Sequence, residues 1–142
     1  MGNRTEALGP AAIYAEWQKA LTANDTEAAA KVVDLENYTE ICLGLTQWTT
    51  GYEMAAANFY KNMIAPWGDL KFTPQDLQES ADGVTVRLRV EGTQVSEFLG
   101  IPPTGRRIRW DHVAIVKIKD GKVIGQWAQP DLWGIYKQLT TG

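Results

Sequence analysis

The chain has 142 residues, a formal net charge of −3, one histidine and one cysteine. Its length suits a single domain over residues 1–142, and its mixed charges without a basic stripe do not favour a nucleic-acid partner. A lone cysteine excludes an intrachain disulfide, and with only one histidine beside it we expect no metal site. No apolar run reaches the roughly 18 residues of a membrane span, and the first residues lack a signal-peptide pattern. We therefore expect a cytoplasmic protein with no membrane partner.

Two helices and a short strand are predicted at the start of the chain. Gly9-Pro10 opens the first helix, since proline is favoured in the first helical turn. The apolar residues of this helix recur four apart, which predicts one buried face made of Ile13, Trp17 and Leu21. Asn24-Asp25 caps a second helix over residues 26–33. Weak alternation over residues 38–43 predicts the strand.

A third helix is predicted after a capping-box pattern that runs from Thr50 to Glu53. It continues to Ile64 and ends before Pro66, because the residue before a proline disfavours the helical region. Its buried side is predicted to carry Met54, Phe59 and Met63.

The second half of the chain predicts a meander of about four antiparallel strands. Residues 70–79 form the first strand, and Pro74 marks a bulge or a sheet edge there. Apolar and polar residues alternate in the next two, over residues 84–90 and 108–118, and the last begins at Val123.

One face of this sheet is predicted to be mostly apolar and to lie against the helices. It carries Trp110, His112, Ala114 and, by extension of the first alternating strand, Gln94. Asp131 caps a final helix over residues 132–139. Helices gathered on one face of a curved antiparallel sheet give an α+β fold, with a pocket beneath the first and third helices.

Three segments resemble, in order, the motifs of the SnoaL-like polyketide cyclase family: GTQVSEFLGIPPTGRRI, IVKIKDGKVIGQWAQPD and LWGIYKQL. The resemblance implies the cone-shaped nuclear-transport-factor-2-like fold, in which helices pack on a curved sheet and enclose a pocket. It also implies a homodimer, a small hydrophobic ligand or substrate, no metal and no organic cofactor.

The chain departs from the family pattern at the acid–base positions. In the family, a histidine on the second alternating strand and an aspartate after a His-Trp pair carry the chemistry. Matching the motifs places Ala114 and Ala128 at those positions, and Gln94 at that of another histidine. Alanine cannot move a proton, so the resemblance implies the fold and the pocket rather than the catalytic residues.

His112 is the first catalytic candidate. The apolar parity of its strand directs it into the pocket, and an imidazole with a near-neutral pKa exchanges protons at pH 7. The alternative is a neutral core histidine held by one hydrogen bond. The neighbouring Asp111 has the other parity, and we expect it to pair with Arg109 or Arg87 at the surface.

Asp131 is the second catalytic candidate, and helix capping is its alternative role. The outcome depends on the turn at Asp120-Gly121. A two-residue turn pairs Ile118 with Val123 and His112 with Gln129, which leaves Asp131 near His112. A three-residue turn with a glycine bulge pairs His112 with Ala128 and directs Gln126 inward.

Eight residues are predicted to contact the substrate: Tyr14, Trp17, Asn58, Gln94, Trp110, Ala114, Gln126 and Ala128. Gln94 or Gln126 would polarise a carbonyl group, and core packing is the alternative for Tyr14 and Trp17.

The sequence thus predicts a cofactor-independent enzyme that cyclises or isomerises a bulky hydrophobic molecule, polyketide- or terpenoid-like, by acid–base chemistry. The alternatives are a non-catalytic small-molecule-binding protein of the same fold and a family member that hydroxylates or opens epoxides.

Overall fold

The computed structural model describes residues 8–142, in which helices cover one face of a six-stranded sheet. The helices are α1 (Pro10–Thr22), α2 (Thr26–Ala30), α3 (Tyr52–Phe59) and α4 (Leu132–Thr140), and α3 runs into a π-helical turn at Tyr60–Ile64. No helix of the described part is both long and apolar enough to cross a membrane.

The strands are β1 (Thr39–Cys42), β2 (Thr49–Thr50), β3 (Trp67–Ser80), β4 (Gly83–Gln94), β5 (Arg107–Lys119) and β6 (Lys122–Pro130). They lie in the order β2-β1-β6-β5-β4-β3. β1 is parallel to β6, and every other neighbouring pair is antiparallel. The predicted meander is therefore confirmed as β3 to β6, and β1 and β2 extend it by two strands. Pro74 lies at a register shift in the edge strand β3, as predicted.

The β5–β6 hairpin combines a tight turn with a bulge. Asp120 and Gly121 have positive φ of 51° and 75°, as a two-residue hairpin turn requires, and Ile118 pairs with Val123. The register then shifts at Ile124, so that Lys117 pairs with Gly125. Both predicted partners of His112 were therefore wrong.

His112 pairs with Pro130, and Ala114 pairs with Ala128. The extra residue in β6 produces this register, because it moves every later pair by one position.

Helix α1 packs its predicted apolar face into the core. Ile13, Trp17 and Leu21 are all buried, and burial of such side chains contributes about 1.5–3 kcal/mol each. The Trp17 indole Nε1 donates a 3.1 Å hydrogen bond to the hydroxyl of Tyr52. This bond ties α1 to the start of α3 inside the core.

Helix α3 differs from its prediction at the start and in its buried face. It begins after Gly51, whose φ is 96°, and no side chain caps it, so the predicted capping box is wrong. Met54 is 59% exposed, and Tyr52, Ala55 and Ala56 are buried instead.

Met63 is buried as predicted. The π-helical turn, in which Ala65 N donates to Tyr60 O at 2.8 Å, changes the helical phase between the start of α3 and Met63.

Helix α2 ends at Ala30 rather than at Val33. Beyond it, Val123 N donates to Val32 O at 2.7 Å and Asp34 N donates to Val123 O at 3.0 Å. Pairing with β6 satisfies the backbone hydrogen bonds of this segment outside the helix, so the tertiary structure decides where the helix ends. The Asp25 side chain accepts from Ala28 N, as predicted.

Candidate functional site

A small, partly open cavity, here called the chamber, lies between the sheet and α3. Its walls are Glu40 and Cys42 of β1, Leu45 and Thr46 beyond β1, Asn58, Phe59, Asn62 and Met63 of α3 and the π-helical turn, His112 of β5, and Gln126 and Ala128 of β6. Its volume is ≈ 20 Å³, which is room for about one water molecule.

A larger open cavity, here called the groove, runs between α1 and the outer strands of the sheet. It is lined by Ala11, Tyr14, Ala15, Gln18, Lys19 and Thr22 of α1, Ile64, Leu70, Lys71, Phe72, Pro74 and Leu77 of or near β3, and Leu88 of β4. Its volume is ≈ 700 Å³. Such a volume falls in the range of small-molecule sites.

The groove and the chamber have residues in contact with each other, and these contacts are here called the partition. Phe59 of the chamber stacks on Phe72 of the groove, with ring centroids 6.3 Å apart and planes 27° apart. Leu88 of the groove is the cross-strand partner of His112 of the chamber. A molecule held in the groove would therefore lie beside the chamber wall.

His112 is buried against the chamber, with 6% of its surface exposed. Burial lowers its pKa to about 4, so the expectation of a near-neutral pKa is wrong and the imidazole is uncharged at pH 7. Within residues 8–142, its Nδ1 atom has no hydrogen-bond partner. A neutral imidazole has one N–H donor and one acceptor nitrogen, so His112 can hydrogen-bond a ligand without paying for a buried charge.

Glu40 is the residue of the chamber that the sequence analysis missed. It is 6% exposed, and burial raises the pKa of its carboxyl group above the ordinary value. The Tyr38 hydroxyl and the Gln126 amide, the latter at 2.9 Å, both donate hydrogen bonds to its Oε1 atom. The signal was present in the predicted strand 38–43, where an acidic residue lies on the same parity as Tyr38 and Cys42.

Two polar residues that were predicted to bind substrate line the chamber. Gln126 faces it from β6 and is bonded to Glu40, and Asn58 faces it from α3. Tyr14 lines the groove instead, and its buried hydroxyl has no hydrogen-bond partner in the described part of the chain. Burial raises the pKa of Tyr14, so it stays protonated.

Comparison with known proteins identifies the family. A family model described as SnoaL-like polyketide cyclase matches residues 11–139. The chain belongs to this family.

Two curated relatives are cyclases from Streptomyces. The aklanonic acid methyl ester cyclase DnrD of Streptomyces peucetius is 33% identical over 64 residues, which cover 45% of this chain and 44% of the relative. The aklanonic acid methyl ester cyclase AcmA of Streptomyces galilaeus is 36% identical over 63 residues, 44% of each chain. Each match thus spans less than half the length of the relative, and the two support cyclase-type activity at the level of the family.

A solved structure confirms the fold. The crystal structure of IdmH from Streptomyces antibioticus superposes with a TM-score of 0.78 and 21% sequence identity, over 93% of this chain and 99% of that chain. The predicted cone-shaped nuclear-transport-factor-2-like fold is confirmed.

Ala114 and Ala128, which the motif resemblance matches to the family's histidine and aspartate, are cross-strand partners in the β5–β6 ladder. Both are buried. Ala128 lines the chamber, whereas Ala114 lies beside it without being part of the described wall. Neither methyl group can move a proton.

Gln94 serves a loop and lies outside both cavities. It is fully buried, and its Nε2 donates to Ser96 O at 3.2 Å and to Ile101 O at 3.0 Å. Its Oε1 accepts from Thr104 N at 2.9 Å. The side chain that was predicted to polarise a carbonyl thus organises the loop of the family motif.

Two aromatic candidates also lie outside the two cavities. Trp17 is enclosed by the core, and Trp110 packs on Trp67 with ring centroids 4.8 Å apart. Both side chains are part of the buried core.

Asp131 is exposed and caps α4. Its Oδ1 accepts from Gly134 N at 2.9 Å, and its own N–H donates to Asp111 O at 3.0 Å. It is not part of the chamber wall. The Asp111 carboxylate lies 3.6 Å from Arg87 and 3.9 Å from Arg89, which confirms the predicted pairing with Arg87.

Proposed function

We propose that this protein is a polyketide cyclase that closes a ring in a hydrophobic, carbonyl-rich substrate by proton transfer, with no cofactor taking part. The observation that carries the proposal is the buried, uncharged His112, with a free Nδ1, in a chamber that borders a large groove. The groove would hold the apolar part of the substrate. The reacting carbonyl would enter the chamber when the partition moves, because the chamber itself is too small for a substrate.

His112 would act in this reaction as a neutral hydrogen-bond donor to a carbonyl oxygen. An imidazole with a pKa of about 4 is a weak base, but its N–H can stabilise negative charge that develops on oxygen. Removing one such preorganised donor typically lowers turnover by about 10²–10³-fold.

The test uses the substrate for which the curated relatives are named. Aklanonic acid methyl ester is incubated with the wild-type protein, and the isomeric ring-closed product is followed by liquid chromatography and mass spectrometry. We expect turnover in the wild type and a loss of about 10²–10³-fold in His112→Ala. Gln129→Ala is the matched control, since Gln129 lies on the neighbouring strand and is exposed. Equal turnover in His112→Ala and the control would remove His112 from the reaction.

A second candidate function is binding without catalysis. The Ala114–Ala128 pair favours it, because these are the two family positions at which acid–base groups stand. If the protein only binds, the wild type should bind aklanonic acid methyl ester and show no turnover of it. Calorimetry in parallel with the product assay separates the two functions.

A further inference from the structure

We propose that Glu40 is the group that takes the proton from the substrate, so that the carboxylate has moved in this chain from β6 to the neighbouring strand β1. The inference rests on the proposed function, which it deepens by naming the base.

The β1–β6 ladder places the two positions side by side. In this parallel pairing Glu40 is opposite Gln126, and Cys42 is opposite Ala128. Glu40 and Cys42 are two residues apart and therefore on the same face, about 6.6 Å apart along the strand. Glu40 and Ala128 both line the chamber. A carboxylate on β1 thus reaches the chamber that the family's carboxylate would reach from Ala128.

Within the part of the chain that the structure describes, Glu40 is the only carboxyl group in the chamber wall. Cys42 of β1 and His112 of β5 are the other titratable side chains of the described wall, and Tyr38, just before β1, and Tyr52 of α3 lie near Glu40 itself. Burial raises the pKa of both tyrosines. It raises the pKa of Cys42 to about 12 and lowers that of His112 to about 4.

The other polar groups in the walls are the hydroxyl of Thr46 and the amides of Asn58, Asn62 and Gln126, which do not titrate. Within the described chain, no other residue in the wall can serve as a base of useful strength.

The hydrogen bonds of Glu40 hold one oxygen and leave the other free. Tyr38 and Gln126 both donate to Oε1, and within residues 8–142 no side chain or backbone group bonds Oε2. Two donors on one oxygen fix the plane of the carboxylate, as a base that acts on a carbon acid requires. Burial keeps its pKa above that of a carboxylate in water, which strengthens it as a base.

The proton transfer balances within the substrate. Oε2 of Glu40 takes a proton from a carbon next to a carbonyl group. The C–H electron pair forms a C=C bond, and the π electrons of that carbonyl move to its oxygen, which gives an enolate. The enolate carbon forms a bond to the carbon of a second carbonyl, whose π electrons become an alkoxide. The alkoxide takes the proton back from Glu40, so the product is an isomer of the substrate and the carboxylate is restored. The substrate class is therefore a molecule with a methylene carbon between or beside carbonyl groups.

The first test compares Glu40→Gln with Glu16→Gln, which changes an exposed carboxyl group in α1. Gln retains an acceptor oxygen for Tyr38 and Gln126 but cannot take a proton. We expect kcat to fall by about 10²–10⁴-fold in Glu40→Gln with substrate affinity retained, and to stay unchanged in Glu16→Gln. In the wild type kcat/KM should rise with pH as Glu40 ionises, and this rise should be absent from Glu40→Gln.

A second variant changes the base without deleting it. Tyr38→Phe removes a donor that lowers the pKa of Glu40, so the rise of kcat/KM should move to higher pH. Tyr52→Phe is the control, because the Tyr52 hydroxyl bonds Trp17 and not Glu40. If Glu40→Gln keeps the wild-type kcat and the rise of kcat/KM with pH, the inference is overturned while the proposed function stands. The same holds if Tyr38→Phe does not move the rise of kcat/KM to higher pH. Absence of turnover in the wild type would overturn the proposed function, and the inference with it.

Discussion

Gln126 donates a 2.9 Å hydrogen bond from β6 to the Glu40 carboxylate of β1. The two residues are also paired in the parallel ladder that joins these strands. This one contact connects the family motif near the C-terminal end to a strand far earlier in the chain. It brings a carboxylate into a site whose expected acid–base positions are both alanine.

From the raised pKa of Glu40 we predict how the stability of the fold depends on pH. Because the folded-state pKa lies above its ordinary value of 4.5, ionisation of Glu40 disfavours the folded state. Its contribution is therefore most favourable below pH 4.5 and is lost as the pH rises through the folded-state pKa. Glu40→Gln cannot ionise, so we expect its melting temperature relative to wild type to increase between pH 4 and pH 8.

Glu16→Gln should show no such trend in thermal melts measured in parallel, because Glu16 is exposed. A melting-temperature difference between Glu40→Gln and wild type that does not change with pH would contradict the account of Glu40.

For His112 we expect the opposite dependence, in which the stability of the fold falls at acid pH. Burial depresses its pKa from 6.5 to about 4, so the neutral form stabilises the fold above pH 6.5 and this contribution is lost as the pH falls towards 4. A shift of this size corresponds to about 3 kcal/mol. Urea unfolding at a series of pH values should show the loss in wild type and a flatter profile in His112→Gln. Identical profiles for the two proteins would show that His112 is not buried in its neutral form.

Asp131 should matter for the helix rather than for the reaction. Its side chain caps α4 through Gly134 N, and asparagine caps as well as aspartate does. Asp131→Asn should therefore retain both stability and turnover, whereas Asp131→Ala should lose about 1 kcal/mol of unfolding free energy. Chemical denaturation and the product assay check the two variants together. A selective loss of turnover in Asp131→Asn would return this residue to the catalytic candidates.

Gln94 makes a prediction about the loop of the family motif. Its amide makes three hydrogen bonds to backbone groups of Ser96, Ile101 and Thr104. Gln94→Ala leaves these groups without their partner, and each orphaned buried group costs about 1–3 kcal/mol. We expect lower stability and faster amide hydrogen exchange over residues 96–104. Unchanged exchange in that loop would show that other contacts hold it.

The parts of the fold that were predicted correctly are those with a local pattern. Alternation over β4 and β5 and the four-residue spacing of Ile13 and Trp17 indicate a buried face without further information. The site required longer-range information. Glu40 meets Gln126 through a parallel pairing between distant segments, and the bulge at Ile124 alone decides that Ala114 faces Ala128.

The last prediction concerns the partition between the groove and the chamber. Phe72→Ala removes the ring on the groove side of the stack with Phe59, which would widen the passage without changing a polar group of the chamber. Phe72 is half-buried, so the cost in unfolding free energy should fall below the 3–5 kcal/mol typical of a fully buried Phe→Ala change. Phe72→Leu is the matched control, since it keeps most of the apolar bulk. If the partition limits entry, substrate should associate faster with Phe72→Ala than with either wild type or Phe72→Leu in stopped-flow binding. If association is equally fast in all three proteins, substrates reach the chamber by a route that does not pass Phe72.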